Sequence, residues 1–118
     1  KFKEALKTNS DVIINGSGKP LRQFIYSIDL AKIIKYLVLN YSDTKPIICC
    51  NDTEISIFDL VDQISEVLQF KNKIIFDTNK QDGYLRKTVS NSYLKSVMPN
   101  VSFTSLLSGL EYVHMGVV

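Results

Sequence analysis

The sequence predicts an α/β fold, and three observations predict it. Two stretches carry apolar residues at helical period, Leu30 to Tyr41 and Ile57 to Leu68. Short β-branched or apolar runs, Asp11–Ile14, Ile47–Cys50 and Ile74–Phe76, stand between the helical stretches. Gly, Pro, Asn and Asp punctuate the boundaries, so helices and short strands alternate along the chain. The length of 118 residues suits one domain or a piece of one, with a modest core.

The first helical turn signal lies at Lys1–Lys7, where Phe2, Ala5 and Leu6 share a face. Asp11–Ile14 reads as a strand stopped by Asn15-Gly16. Gln23–Tyr26 reads as the next strand, and Ser27 is placed to cap the following helix, with Asp29 in its first turn to complement the dipole. That helix puts Leu30, Ile33, Ile34, Leu37, Val38 and Tyr41 on one side, and Lys32 and Lys35 on the wet side. Ile47–Cys50 has apolar side chains facing both ways, as an interior strand does. Ser56 and Asp59 form a variant capping box ahead of a helix whose face is Ile57, Leu60, Val61, Ile64, Val67 and Leu68. Ile74–Phe76 is a further strand, followed by the polar loop Asp77–Gly83. Ser90 or Asn91 starts a short helix that ends before Pro99, and Thr104 caps a last helix through Leu107, Leu110 and Val113, weakened by Gly109.

Composition narrows the function. A net charge of +2, with basic residues dispersed, argues against nucleic acid and against a membrane surface. No stretch approaches the length of apolar residues that crosses a bilayer, and no signal peptide opens the sequence. Cys49 and Cys50 are adjacent and so poorly disposed to pair with each other; buried free thiols suit a reducing compartment, here the cytoplasm. A single histidine and no ligand spacing predict no metal site.

The stretch Gly16–Lys32, GSGKPLRQFIYSIDLAK, is the richest in chemistry. Arg22 and Arg86 are the only arginines among fourteen basic residues. A guanidinium presents a planar fork that can hold two oxygens of one phosphate, which lysine cannot do. Arg22 at a strand mouth is therefore either an anion grip or a solvated edge cation. Gly16-Ser17-Gly18 begins like a dinucleotide fingerprint but has Leu21 at the third glycine, so it reads as a turn. Gly18-Lys19 is followed by Pro20, which excludes a Walker loop. Tyr41 and Lys45 have a Tyr-x-x-x-Lys spacing, but the pair spans a helix end and precedes Pro46, so the two side chains do not share a helical face. His114 reads as a partly buried residue of the tail.

Two blocks, GSGKPLRQFIYSIDLAK and IIFDTNKQDGYLRKTVSNSYLK (Ile74–Lys95), resemble in order and spacing the corresponding segments of the GDP-L-fucose synthases, epimerase-reductases of the extended short-chain dehydrogenase/reductase family. The resemblance covers nearly the whole chain. It implies that residues 1–118 are the C-terminal, substrate-binding portion of such an enzyme. It also implies that a segment at about 29–51 returns to the Rossmann-type sheet of the cofactor domain and lacks its neighbours here. By the same resemblance Arg22 matches the arginine used on the nucleotide-sugar diphosphate, and Lys1 falls at the spacing of a substrate lysine. Asp82 matches a substrate-contacting aspartate, with an Asp-Gly turn as its other reading; Lys87 adds charge near the diphosphate or is a solvated edge residue. Asn15 stands where the family commonly has tryptophan, a departure that removes an aromatic wall.

The resemblance implies a parent that makes GDP-L-fucose from GDP-4-keto-6-deoxy-D-mannose by 3,5-epimerisation and NADPH-dependent reduction at C4, as a homodimer. The NADPH loop, the Ser-Tyr-Lys triad and the epimerising Cys/His pair are expected upstream of Lys1, so the chain by itself carries no catalytic residue and no cofactor site. Two alternatives stand beside this: another extended nucleotide-sugar epimerase or dehydratase, and a catalytically silent interaction module.

Overall fold

A computed structural model describes residues 1–117. In chain order the elements are α1 (Phe2–Thr8), β1 (Val12–Asn15), β2 (Leu21–Gln23), α2 (Ser27–Asn40), β3 (Glu54–Ser56), α3 (Ile57–Val67), β4 (Ile74–Asp77), α4 (Ser92–Val97) and α5 (Leu106–Met115). They are distributed over two compact bodies. The first is Lys1–Arg22 with Ile55–Lys87; the second is Gln23–Glu54 with the chain from Thr88 onward.

The first body is built on a parallel pair. β1 and β4 run in register from Val12↔Ile74 to Asn15↔Asp77. The ladder is extended at both ends by Val12 N–H to the Lys73 carbonyl and Gly16 N–H to the Asp77 carbonyl, each 2.9 Å. Asp11, expected inside β1, lies just before it, where its carboxylate accepts from the Lys73 amide at 3.0 Å. Phe2, Ala5, Val12, Val61 and Phe70 form the buried core, with Ile14, Ile57, Ile64, Leu68, Ile74 and Phe76 packed against them. Phe2 meets Phe70 edge to face at 5.1 Å, the geometry that sets a positive ring edge against a negative face. Leu6, predicted on the inner face of α1, is instead exposed; the short helix turns only Phe2 and Ala5 inward.

α3 begins as its sequence predicts. The Ser56 hydroxyl accepts from the Asp59 amide at 3.0 Å and donates to the Asp59 carboxylate at 2.6 Å. This occupies one of the orphan donors of the first turn.

β2 is displaced from the predicted Gln23–Tyr26 to Leu21–Gln23, where it pairs with β3. The cause is a long-range partner: Leu21 donates to the Leu85 carbonyl at 2.7 Å and its carbonyl accepts from Lys87, making a parallel bridge with Arg86. Arg22 therefore sits in the middle of β2 and does not open it.

In the second body Ile33 and Leu94 are the most deeply buried side chains. Ser27 is already helical in α2, and Tyr26 occupies the cap position without a side-chain bond, so the predicted Ser27 cap is not formed. Asp29 is buried, and its carboxylate accepts from the Thr104 amide at 2.6 Å. That bond removes Thr104 from its predicted capping role; Ser105 caps α5 instead, accepting from Ser108 N–H at 3.1 Å. Asn91 precedes α4, but its amide donates to the Cys50 carbonyl at 2.9 Å, and Ser90 accepts from the Ser92 amide.

The predicted strand Ile47–Cys50 does not form. A strand needs a neighbouring strand for its ladder. Among the described residues, side-chain amides reach the main chain here: Asn91 on the Cys50 carbonyl and Gln23 on the neighbouring Asn51 carbonyl. Gln23 also exchanges two bonds with Val89, its Oε1 accepting from the amide and its Nε2 donating to the carbonyl. The apolar stripe of α2 is half used. Ile33 is buried, while Ile34 and Val38 on the same predicted face are exposed, Val38 at 77%.

Candidate functional site

All five residues singled out from the sequence, Lys1, Asn15, Arg22, Asp82 and Lys87, fall in the first body. The polar loop after β4 brings three of them together. Residues 82–87 run back alongside the Gly16–Arg22 segment, and two sets of bonds hold them there.

The first set is at Asp82. Its Oδ1 accepts from the Ser17 amide at 2.8 Å, and its Oδ2 accepts from the Ser17 hydroxyl at 2.5 Å. These two bonds, and more weakly the positive charge of Lys19, hold the Asp82 carboxyl below the usual aspartate range against an opposing desolvation effect. Gly16 and Gly18 have φ of 88° and 78°, the left-handed region that glycine enters freely. A Cβ on Gly16 would run into Asp82 Oδ1, and one on Gly18 would lie 2.6 Å from the Phe76 ring. The predicted turn is therefore present.

A dinucleotide cradle is not. The glycine faces are occupied by a carboxylate and an aromatic ring, and the turn leads into β2, not into a helix. A carboxylate at that point would repel a pyrophosphate. The residues of this turn do not fit the pyrophosphate of NADPH.

The second set is at Arg22. Its Nη1 donates to its neighbour Leu21's carbonyl at 2.6 Å and to the Tyr84 carbonyl at 3.0 Å. Nη2 lies alongside Gly83, where a Cβ would be 3.7 Å away. Two carbonyls thus fix the guanidinium, and the residue beside Nη2 has no side chain to cover it. Lys87 joins this group through its amide, 3.5 Å from the Leu21 carbonyl, while its ammonium lies 5.3 Å from the Tyr84 ring centre. Lys1 reaches the far side of β1, donating to the Ile13 carbonyl at 2.7 Å. Asn15 is exposed at the end of β1, one residue before the Gly16 turn.

Ser17, Gly83 and Tyr84 are the participants that sequence reasoning missed. Ser17 was visible only as a turn residue, and its partner lies 65 positions away. Tyr84 takes part through its carbonyl, which no residue type advertises.

The remaining sequence candidates lie in the second body and do not assemble a site. Tyr41 caps the end of α2; its hydroxyl donates to the Lys45 carbonyl at 2.7 Å, while the Lys45 ammonium sits 3.9 Å over the Tyr93 ring. The pair does not project from one helical face. His114 is exposed in the last turn of α5, not partly buried as predicted. Cys49 and Cys50 are free, and burial pushes both thiols up, away from the reactive thiolate form. Among the described residues no group of three His, Cys, Asp or Glu is placed to hold a metal, and no helix is long and apolar enough to cross a membrane.

No family model matches the chain. A GDP-L-fucose synthase of Dictyostelium discoideum is 47% identical over 109 residues, covering 91% of this chain and 34% of its own length. A probable GDP-L-fucose synthase of Drosophila melanogaster is 41% identical over 98 residues, covering 81% of this chain and 30% of its own. The chain thus spans about a third of the length of the curated relatives it matches. Among solved structures, a GDP-L-fucose synthetase from Naegleria fowleri bound to NADP superposes with a TM-score of 0.88 at 31% identity, over 95% of this chain and 37% of that one. The fold is accordingly that of part of an extended short-chain dehydrogenase/reductase, and with such identity over nine-tenths of its residues the chain belongs to the GDP-L-fucose synthase family.

Proposed function

We propose that this chain is the GDP-sugar-binding, C-terminal portion of a GDP-L-fucose synthase, acting on GDP-4-keto-6-deoxy-D-mannose and GDP-L-fucose. The observation that carries the reading is Arg22, immobilised by the Leu21 and Tyr84 carbonyls inside the loop shared with Asp82 and Lys87. A guanidinium fixed in advance loses little freedom when it meets an anion, which favours a diphosphate at its Nε and Nη2 edge. Lys87 and Lys1 add positive charge, and Asn15 takes the place of an aromatic wall.

The 3,5-epimerisation and the NADPH-dependent reduction at C4 belong, in this reading, to the rest of a homodimeric cytoplasmic enzyme. This portion contributes orientation, converting binding into a fixed position for the sugar. The isolated chain is then inactive; turnover by the purified 118-residue polypeptide would contradict this. In the full-length enzyme Arg22→Ala weakens GDP-sugar binding and leaves NADPH binding nearly intact. Unchanged GDP-sugar affinity would remove Arg22 from the site.

A second reading, a catalytically silent interaction module, draws on the exposed apolar side chains of α2, Ile34, Val38 and Leu39. The same surface is what the segment at about 29–51 would bury against a cofactor domain. A GxxGxxG fingerprint and Tyr-x-x-x-Lys in the upstream gene sequence favour the enzyme. The other rival, a different nucleotide-sugar epimerase, is disfavoured by the names of the Dictyostelium and Drosophila relatives, and a panel of nucleotide sugars tests it.

A further inference from the structure

We infer that Asp82 is a positioning residue for Arg22: through Ser17 it clamps the 82–87 loop onto the Gly16–Gly18 turn, and the clamped loop presents the carbonyl that fixes the guanidinium. The inference deepens the GDP-sugar reading and rests on it.

Three observations lead to it. Both Asp82 oxygens are already bonded to one residue, Oδ1 to the Ser17 amide and Oδ2 to the Ser17 hydroxyl. Each oxygen keeps a second acceptor site, but the bond it already makes ties the carboxylate, and with it the start of the loop, to Ser17. Second, Gly16 has the conformation and the missing Cβ that let the turn approach this carboxylate; a side chain there would collide with Oδ1. Third, Tyr84, whose carbonyl takes the 3.0 Å bond from Arg22 Nη1, stands two positions after Asp82, and Gly83 between them lies beside Nη2. Loss of the clamp therefore acts on the Tyr84 carbonyl and on what stands over Nη2. Main-chain bonds from Leu21 to Leu85 and from Lys87 to Leu21 continue the attachment, so the loop is held at several points and the clamp sets its start.

The test is a set of variants of the full-length enzyme, read by the binding of GDP and of inorganic pyrophosphate, which has no base or sugar. Asp82→Ala is expected to weaken both probes by a similar factor, on the order of tenfold or more, as small misplacements of a binding group do. Ser17→Ala is expected to weaken both in the same proportion, and the double variant to be no worse than Asp82→Ala. Asp82→Asn, whose amide oxygen can still accept from Ser17, recovers most of the affinity. In an Arg22→Ala background Asp82→Ala has no further effect on pyrophosphate, a silence that a general loss of folding would not produce. Selective loss of GDP with pyrophosphate unchanged, or an undiminished effect in the Arg22→Ala background, overturns the inference. A parent enzyme that binds neither probe overturns the GDP-sugar reading itself, and that failure is visible before any variant is made.

Discussion

Arg22 and Tyr84, 62 positions apart in sequence, are joined by a 3.0 Å bond from a guanidinium nitrogen to a main-chain carbonyl. Because the acceptor is backbone, replacing the Tyr84 side chain leaves the bond in place, whereas replacing Arg22 does not. In the full-length enzyme Arg22→Lys is expected to weaken GDP-sugar binding nearly as much as removal of the side chain, since a single ammonium nitrogen has no planar fork with which to be held by carbonyls on one edge and grip two anion oxygens on another. The loss of a charge-assisted bond corresponds to about 1.5–3 kcal/mol, or roughly ten- to a hundredfold in Kd by titration calorimetry. Lysine that binds as tightly as arginine would refute the fork geometry.

Gly16→Ala forces a side chain into left-handed backbone and against Asp82 Oδ1. The backbone term alone is about 1–2 kcal/mol. Urea denaturation of the chain is expected to show at least that loss, and Gly116→Ala, also left-handed but with open space around it, shows the backbone part only.

Asn15 is exposed at the end of β1, next to the clamped turn. If the nucleotide packs there, Asn15→Trp restores an aromatic face and tightens GDP binding by about 1–3 kcal/mol, the range for a base stacked on an aromatic ring. Unchanged affinity places the base elsewhere.

Tyr41 supplies a pH signature. Burial first, then the bond and charge of Tyr93, 3.2 Å from it, and the charge of Asp43 push its phenol up to about 12 from 10.0. The folded state holds this proton more tightly than the unfolded chain does. Its contribution to stability is therefore complete below the unfolded value and is lost as pH rises toward about 12. Urea midpoints should fall with pH across that window, and Tyr41→Phe should flatten the fall.

Leu94 and Val38 test the two halves of the second body's apolar inventory. Leu94, at 0% exposure, is expected to cost about 2–5 kcal/mol on change to alanine. Val38→Lys leaves the stability of this chain within about 0.5 kcal/mol, since Val38 is already in water. In the full-length enzyme, where the proposal has α2 covered, the same change lowers the melting temperature. Equal behaviour in both contexts would leave α2 uncovered there too.

What the sequence made legible follows from range. Local signals held: the Ser56–Asp59 cap, the glycine turn and the α3 stripe are all set within a few residues. Readings that depended on distant partners slipped. β2 moved because Leu21 found Leu85, Thr104 lost its cap because Asp29 reached it, and Ile47–Cys50 stayed irregular because, among the described residues, no strand runs beside it to complete a ladder. The five candidate residues could be named from the family resemblance, but the Ser17–Asp82 clamp could not, since neither residue type nor spacing announces a bond across 65 positions.

Each of the two bodies is assembled from a pair of separated stretches, with the chain passing from one to the other inside β2, inside β3 and after Lys87. A single truncation that keeps one body whole carries a stretch of the other with it: a stop after Lys87 retains Gln23–Glu54, a stop before residue 55 strips β1 of its ladder partner β4, and a start after residue 22 discards β1 outright. Val12 must also wait for Ile74 to be synthesised before its pairing can close. Expression of half-molecules is thus a poor route to a minimal binding unit, whereas co-expressed complementary halves, nicked at a loop, retain every stretch that each body needs.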